Sequence, residues 1–224
     1  MRLWYRFCRI LCQTLFVALF RGRVFGAARV PRTGGVLLVC NHQSLLDPVL
    51  ATLALPRECH YMARDTLFRR PVFRRLIESL NAFPIKRGTA DLTAIKETLR
   101  RLRAGHLVVT FPEATRTRDG SVGAMQPGVI LLARKAGVPI VPCAILGAFG
   151  AWPRQALLPR PHPVVVAYGQ PVPPAQLEAL ADEACIRLVR GRIVELMERY
   201  WRPAVRPRCR ATASTGPPAA RSGS

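Results

Sequence analysis

The chain has 224 residues, half of them apolar, and its 34 Lys and Arg against 13 Asp and Glu give a formal net charge of +21. This length and apolar content are sufficient for one folded domain with a substantial core. The seven cysteines, an odd number without a CxxC pair, argue against a disulfide framework or a zinc site. The positive charge suits a polyanionic partner, although an Arg-rich composition also arises in GC-rich genomes.

The first predicted helix covers residues 3–20. Its polar residues recur at steps of three and four and so share one helical face. They are Arg2, Arg6, Arg9 and Gln13. The apolar run is shorter than the roughly 20 residues that span a bilayer, and no small-residue cleavage site follows it. The pattern favours a helix lying in a membrane interface, with its arginines toward the headgroups, over a core helix of a soluble domain.

Downstream, short apolar runs alternate with helical patterns. Strands are predicted at residues 36–40, 59–63, 82–85, 107–111, 138–142 and 163–168. Helices are predicted at residues 45–53, 64–80, 91–104, 128–136 and 176–201. This alternation predicts an α/β fold with a mixed, mainly parallel sheet flanked by helices.

These elements divide the chain into three parts. Residues 1–25 form the interfacial helix, residues 26–203 the folded domain, and residues 204–224 a tail. The Pro-, Ala- and Arg-rich composition of the tail cannot bury a core, so we expect it to be disordered.

The stretch that follows the first buried strand carries side chains suited to catalysis. Asn41 and His42 come directly after residues 36–40, and Asp47 stands one turn further on. Open α/β sheets hold reacting groups on loops at the carboxyl ends of strands. The Asp47 carboxylate can fix the imidazole tautomer and stabilise its charged form, as a general base requires. The alternative is structural: a capping Asn, a surface His and an Asp favoured by the helix dipole.

A second polar cluster follows the strand at residues 107–111. Glu113 and Arg116 lie on a tight loop and can present a carboxylate and a guanidinium to one ligand. The forked guanidinium suits a phosphate. A surface Glu–Arg pair worth less than about 1 kcal/mol is the alternative. The remaining histidines are dispersed along the sequence, so no metal site is expected. They are His60, His106 and His162.

The two clusters form an ordered set of motifs with three weaker blocks. The set comprises Asn-His-x4-Asp at 41–47, Phe-Pro-Ile-Lys-Arg-Gly at 83–88, Phe-Pro-Glu-Ala-Thr-Arg at 111–116, Val-Pro-Ile-Val-Pro at 138–142 and Tyr-Gly-Gln-Pro at 168–171. From about residue 34 to 172 the chain resembles the glycerolipid acyltransferase family, and most closely its bacterial 1-acyl-sn-glycerol-3-phosphate acyltransferases. It departs from the family pattern at Ala114, where Gly is usual, and at Arg64, where Lys is common.

The resemblance implies a reaction and a set of site residues. An acyl chain moves from acyl-CoA or acyl carrier protein to the free sn-2 hydroxyl of 1-acyl-sn-glycerol 3-phosphate, giving phosphatidate. His42 and Asp47 are the implied catalytic residues. The implied substrate-binding residues are Arg87, Glu113, Thr115, Arg116 and Pro142. Apart from the acyl donor as co-substrate, no cofactor is implied.

The resemblance also implies where the protein works. Its partners are a lysophosphatidate-type acceptor, the acyl donor and an anionic membrane surface, on which it sits as a peripheral, monotopic protein of the cytoplasmic face. No nucleic-acid partner is expected, because no helix-turn-helix, zinc-finger or RNP-like pattern occurs. Two alternatives stay open: the same chemistry on another lysolipid or on glycerol 3-phosphate, and a basic membrane-binding protein without catalysis.

Overall fold

The computed structural model describes residues 2–86 and 91–201. Its strands are β1 (Arg23–Phe25), β2 (Val36–Cys40), β3 (Cys59–Arg64), β4 (Ala82–Ile85), β5 (Leu107–Thr110), β6 (Ile140–Leu146) and β7 (Val165–Tyr168). Within the described residues they form one sheet in the order β1-β7-β6-β2-β5-β3-β4. From β6 to β4 the neighbouring strands are parallel, whereas β7 is antiparallel to β6. The predicted mixed, mainly parallel sheet is confirmed.

Helices cover both faces of this sheet. They are α1 (Leu3–Phe20), α2 (Asp47–Leu50), α3 (Pro71–Ser79), α4 (Leu92–Arg103), α5 (Gly128–Ala136), α6 (Ala148–Ala151), α7 (Pro174–Glu178) and α8 (Asp182–Tyr200). On one face, the core contains side chains of α4, α5, α7 and α8. On the other face, it contains side chains of α1, α2 and α6. The sheet that carries the site is therefore packed against apolar side chains on both of its faces.

The central strand β2 positions the site. All its side chains are buried, and they alternate between the two core clusters, as a strand covered on both faces requires. It lies between β5 and β6, and all three run parallel. The loops that follow these strands therefore meet at one edge of the sheet.

Several predicted elements differ from the observed ones in extent. The helix predicted over residues 64–80 begins only at Pro71, after β3 has continued to Arg64 and a 3-10 turn has followed. Proline disfavours helical backbone in the residue before it and suits the first turn of a helix. The helix predicted at residues 45–53 is shortened to α2, and β1 and α6 are additions to the predicted set.

The predicted C-terminal helix is divided into α7 and α8. The Arg134 side chain of α5 donates to the Leu177 carbonyl over 2.9 Å from Nε and 2.6 Å from Nη2. It also bonds the Leu180 carbonyl and pairs with Asp182. A guanidinium that occupies the last carbonyls of α7 replaces the bonds that a continuous helix would make there.

Part of the polar face of α1 packs against the protein. Arg9 Nη1 donates to the Leu55 carbonyl over 2.6 Å, and Gln13 Nε2 donates to the Leu53 carbonyl over 2.6 Å. Arg2 pairs with Glu58. The prediction that Arg9 faces lipid headgroups is therefore wrong, whereas Arg2 and Arg6 are exposed. The exposed surface of α1 also carries large apolar side chains: Leu3, Trp4, Phe7, Ile10, Leu11, Leu15, Val17 and Leu19.

By length and composition, α1 could also cross a membrane. Its 18 residues have a mean hydropathy of 1.3, and 17% of them are buried against the protein. A signal sequence or the core helix of a soluble protein passes the same test, so this finding alone is weak evidence for a membrane contact.

Candidate active site

The site begins where β2 ends, at Asn41. Its side chain donates to the Ile145 carbonyl over 2.9 Å and accepts from the Ile145 amide over 2.7 Å. These two bonds imitate a strand pair and prolong the contact between β2 and β6 by one residue. The chain therefore leaves the sheet at a fixed point, directly before His42.

His42 and Asp47 form a buried pair. The imidazole Nδ1 lies 2.8 Å from Asp47 Oδ2, and the same oxygen accepts from the backbone amides of Gln43 over 2.5 Å and Ser44 over 2.7 Å. Asp47 begins α2, so the short turn between the two residues folds the carboxylate back onto the ring. If Nδ1 carries the proton that Asp47 accepts, the lone pair of Nε2 is free to take a proton.

The environment of Asp47 is unusual for a carboxylate. Burial raises the pKa of Asp47, an effect opposed by the hydrogen bond and charge of His42 and by the Ser44 and Gln43 amides. Its Oδ1 is buried and has no hydrogen-bond partner among the described residues. A buried carboxylate in such a place is stabilised by a neighbouring positive charge, and the His42 ring is the group bonded to it.

Glu113 holds the backbone of His42. Its Oε1 accepts from the His42 amide over 2.9 Å, and its Oε2 accepts from the Gly123 amide over 3.0 Å. A Cβ at position 123 would lie 3.0 Å from that second oxygen, so the approach favours glycine. Burial raises the pKa of Glu113. Both oxygens thus hold backbone of the protein, and a contact of Glu113 with a ligand stays a prediction.

Two further contacts fix His42. The Thr117 amide donates to the His42 carbonyl over 2.8 Å, and the Phe111 ring stacks on the imidazole with centroids 4.5 Å apart. Backbone and ring are thus both held by the loop after β5. Nothing in the spacing of the sequence identifies Thr117 as a residue of the site, because the contact joins two loops that are distant along the chain.

Arg116 lies half-buried on the loop that contains Glu113. Burial lowers the pKa of Arg116, as does the charge of Arg154, whereas the charge of Asp47 raises it. In residues 2–86 and 91–201 no carboxylate lies within salt-bridge distance of its guanidinium. The neighbouring Thr115 side chain is exposed. A phosphate could therefore meet an arginine that no acid already occupies.

The remaining predicted residues lie elsewhere. Pro142 is buried within β6 opposite Val39, and its carbonyl accepts from the Gly169 amide over 2.8 Å. Its register partner Val39 precedes His42 by three residues, so Pro142 lies within the sheet, before the level at which the His42 loop begins. Arg87 lies outside the described residues. Among the described residues, no group of three or more His, Cys, Asp or Glu is placed to hold a metal ion.

Gln43 was not predicted to belong to the site. Its side chain donates to the Gly120 carbonyl over 2.9 Å and accepts from the Phe149 amide over 3.3 Å. It therefore joins the loop after β5 to α6. The sequence signal that could have identified Gln43 is its position between the predicted catalytic residues His42 and Asp47. Its hydrogen-bond partners are distant along the chain and are brought to it only by the fold.

Comparison with known proteins identifies relatives. Residues 21–146 match the family model described as Acyltransferase. The 1-acyl-sn-glycerol-3-phosphate acyltransferase of Cocos nucifera is 28% identical over 172 residues, 75% of this chain and 56% of the relative. That of Bacillus subtilis is 27% identical over 144 residues, 64% of this chain and 71% of the relative. The matches thus span little more than half of one relative's length and most of the other's.

A solved structure is similar as well. The crystal structure of the 1-acyl-sn-glycerophosphate (LPA) acyltransferase PlsC from Thermotoga maritima has a TM-score of 0.75 at 26% identity. The similarity covers 88% of this chain and 81% of that one. The segment that matches the family model is more than half of the chain and contains His42, Asp47, Glu113 and Arg116, so the protein belongs to the Acyltransferase family.

Proposed function

We propose that the protein transfers an acyl chain from a thioester to the sn-2 hydroxyl of 1-acyl-sn-glycerol 3-phosphate and so produces phosphatidate. The observation that carries this function is the buried His42–Asp47 pair, with its 2.8 Å contact, at the carboxyl end of the central strand. The names of the plant and bacterial relatives support this acceptor.

Proton transfer through His42 accounts for the chemistry. The Nε2 atom of His42 takes the hydroxyl proton while the hydroxyl oxygen bonds to the thioester carbonyl carbon. Asp47, bonded to Nδ1, stabilises the imidazolium. When the tetrahedral intermediate collapses, the carbon–sulfur bond breaks and the departing thiolate takes the proton from Nε2. Acyl-CoA and acyl carrier protein both present such a thioester, and both are candidate donors.

Arg116 is the candidate for binding the acceptor phosphate. Its half-buried guanidinium lies on the loop that also holds the backbone of His42 through Glu113 and Thr117. A phosphate held there would align the free hydroxyl with His42, and alignment is a large part of the rate gained by such enzymes. The roles of Arg87, Thr115 and Pro142 in substrate binding rest on the family resemblance. Glu113 acts through the backbone of His42.

A membrane surface is the proposed place of action, on the cytoplasmic face. The exposed apolar surface of α1 continues onto α3, because Trp4 Nε1 donates to Ser79 Oγ over 3.0 Å. On α3, Val72 and Phe73 are exposed beside Arg75. Apolar side chains with flanking arginines suit the boundary between acyl chains and anionic headgroups.

An assay of the purified protein tests the function. Lysophosphatidate, glycerol 3-phosphate and lysophosphatidylcholine are each supplied with acyl-CoA and with acyl carrier protein thioester. We expect transfer to lysophosphatidate to exceed the others, and Arg116→Ala to reduce this preference. Preference for another acceptor would support the alternative substrate. Binding to anionic vesicles without acyl transfer to any acceptor would support the non-catalytic alternative.

A further inference from the structure

A loop of residues 152–163, within the connection between α6 and β7, carries an exposed apolar tip. Leu157 is 92% exposed and Leu158 is 77% exposed. Among the described residues, no other large apolar side chain is as exposed as Leu157. Single exposed leucines are common on soluble proteins, but two adjacent ones at the tip of a loop call for a partner of their own.

The tip is exposed although hydrogen bonds hold the loop at its base and within it. The Arg160 amide donates to the Ala151 carbonyl over 2.8 Å and closes the base of the loop. Within the loop, Trp152 Nε1 donates to the Ala156 carbonyl over 2.9 Å. Because the backbone is already held, placing the two leucines in a partner would cost little additional ordering.

The loop also lies next to the catalytic pair. Strands β2 and β6 are parallel, so the segments that follow them leave the same edge of the sheet. Ser44 Oγ, between His42 and Asp47 in sequence, donates to the Trp152 carbonyl over 3.0 Å. At the other end, the Val164 amide donates to the Phe20 carbonyl of α1 over 3.0 Å. The loop thus joins the His42 turn to the end of the apolar helix.

The charges of the loop indicate which kind of partner it binds. Residues 152–163 include Arg154 and Arg160 but neither Asp nor Glu. Self-association through this loop would bring together two chains that each carry a net charge of +21. An anionic bilayer instead offers acyl chains to the leucines and negative headgroups to the arginines. The loop also contacts the end of α1, whose exposed apolar side chains favour the same partner, a bilayer.

We propose that Leu157 and Leu158 insert into an anionic bilayer and hold the His42 site at the membrane surface. The inference rests on the proposed action on a lipid acceptor. It adds a second membrane contact, beside the catalytic pair, to the one proposed for α1. A lipid acceptor could then move from the bilayer to His42 without crossing water.

Fluorescence quenching tests insertion independently of activity. Leu158→Trp is compared with Leu131→Trp, which places the indole on α5 at the opposite face of the sheet, where Leu131 is 43% exposed. Anionic vesicles with brominated acyl chains should quench the additional emission of Leu158→Trp and leave that of Leu131→Trp unchanged. The three native tryptophans provide a common background. Equal quenching in the two variants would overturn the proposal.

A second comparison tests the consequence for catalysis. Leu157→Ser/Leu158→Ser should bind anionic vesicles about tenfold more weakly than the parent, because apolar area is lost. Its matched control, Leu92→Ser/Leu131→Ser, should bind as the parent does. The loop variant should lose activity on acceptors held in bilayers and keep it on short-chain, water-soluble acceptors.

The outcomes separate the two proposals. A parent protein inactive on every acceptor, with Leu158→Trp still quenched, would overturn the proposed function and support insertion. Activity on all acceptors without selective quenching would overturn insertion alone. Capture of a soluble protein partner or of a second copy by the loop, without quenching, would also overturn it.

Discussion

At the scale of single residues, His42 is fixed at its backbone amide, its carbonyl and its ring. Glu113 accepts from the amide, Thr117 donates to the carbonyl, and Asp47 bonds the ring nitrogen. In the proposed mechanism, a general base held this way has little freedom to leave the position from which it removes a proton. Two of these three contacts come from the loop after β5, so the site depends on the pairing of β2 with β5.

Replacing either member of the catalytic pair should abolish most activity. His42→Ala and Asp47→Asn are each expected to lower the rate of acyl transfer roughly 10²–10⁴-fold, the range typical of general acid–base catalysis. Because the two act as one unit, the double variant should be little worse than His42→Ala. Steady-state rates on protein shown to be folded by circular dichroism provide the test. Normal turnover in folded His42→Ala would exclude this mechanism.

Ala114 carries backbone strain beside the site. Its φ of 58° lies in the left-handed region, at the position where the family usually has glycine. Ala114→Gly should raise the free energy of unfolding by about 1 kcal/mol, because glycine adopts this conformation without a steric cost. The matched control, Ala184→Gly in α8, should lower it by about 0.5–1 kcal/mol. Urea denaturation with an unchanged m-value measures both, and a loss of stability in Ala114→Gly would contradict the argument.

At the scale of elements, α1 has two faces with different tasks. Phe16 is 3% exposed and packs in the core, whereas Phe7, on the same helix, is 58% exposed. The core contact is tight, since a Cβ at Gly22 would lie 2.2 Å from the Phe16 ring. The helix is therefore packed into the core, and removing residues 1–20 would expose core side chains as well as remove the surface proposed to contact the membrane.

The same substitution on the two faces should give opposite results. Phe16→Ala is expected to cost about 3–5 kcal/mol of stability, as large-to-small core substitutions do. Phe7→Ala should change stability by less than about 0.5 kcal/mol and weaken binding to anionic vesicles. Denaturation and vesicle sedimentation measure the two properties. Weaker vesicle binding in Phe16→Ala alone, with Phe7→Ala unaffected, would mean that the exposed face does not touch lipid.

At the scale of the whole molecule, most strands and helices were predictable from the sequence, and the directions of side chains often were not. The run of residues 36–40 predicted a strand buried on both faces, and β2 is one. The periodicity of α1 separated its polar and apolar faces correctly. It could not show that Arg9 and Gln13 bond carbonyls of the protein, because those partners lie far along the chain. For the same reason, the sequence could not show that the Glu113 carboxylate accepts hydrogen bonds from the His42 and Gly123 amides.

The proposed membrane binding would depend separately on the net charge of +21 and on the exposed apolar side chains. Salt screens the attraction between arginines and anionic headgroups beyond a Debye length of about 3 Å at 1 M, but it does not screen buried apolar area. Raising the salt concentration should therefore release only part of the protein from anionic vesicles. The fraction that stays bound should fall further in Phe7→Ala, since that fraction depends on apolar contact. Complete release of the parent by salt would assign docking to arginines alone, among them the exposed Arg74 and Arg75 of α3.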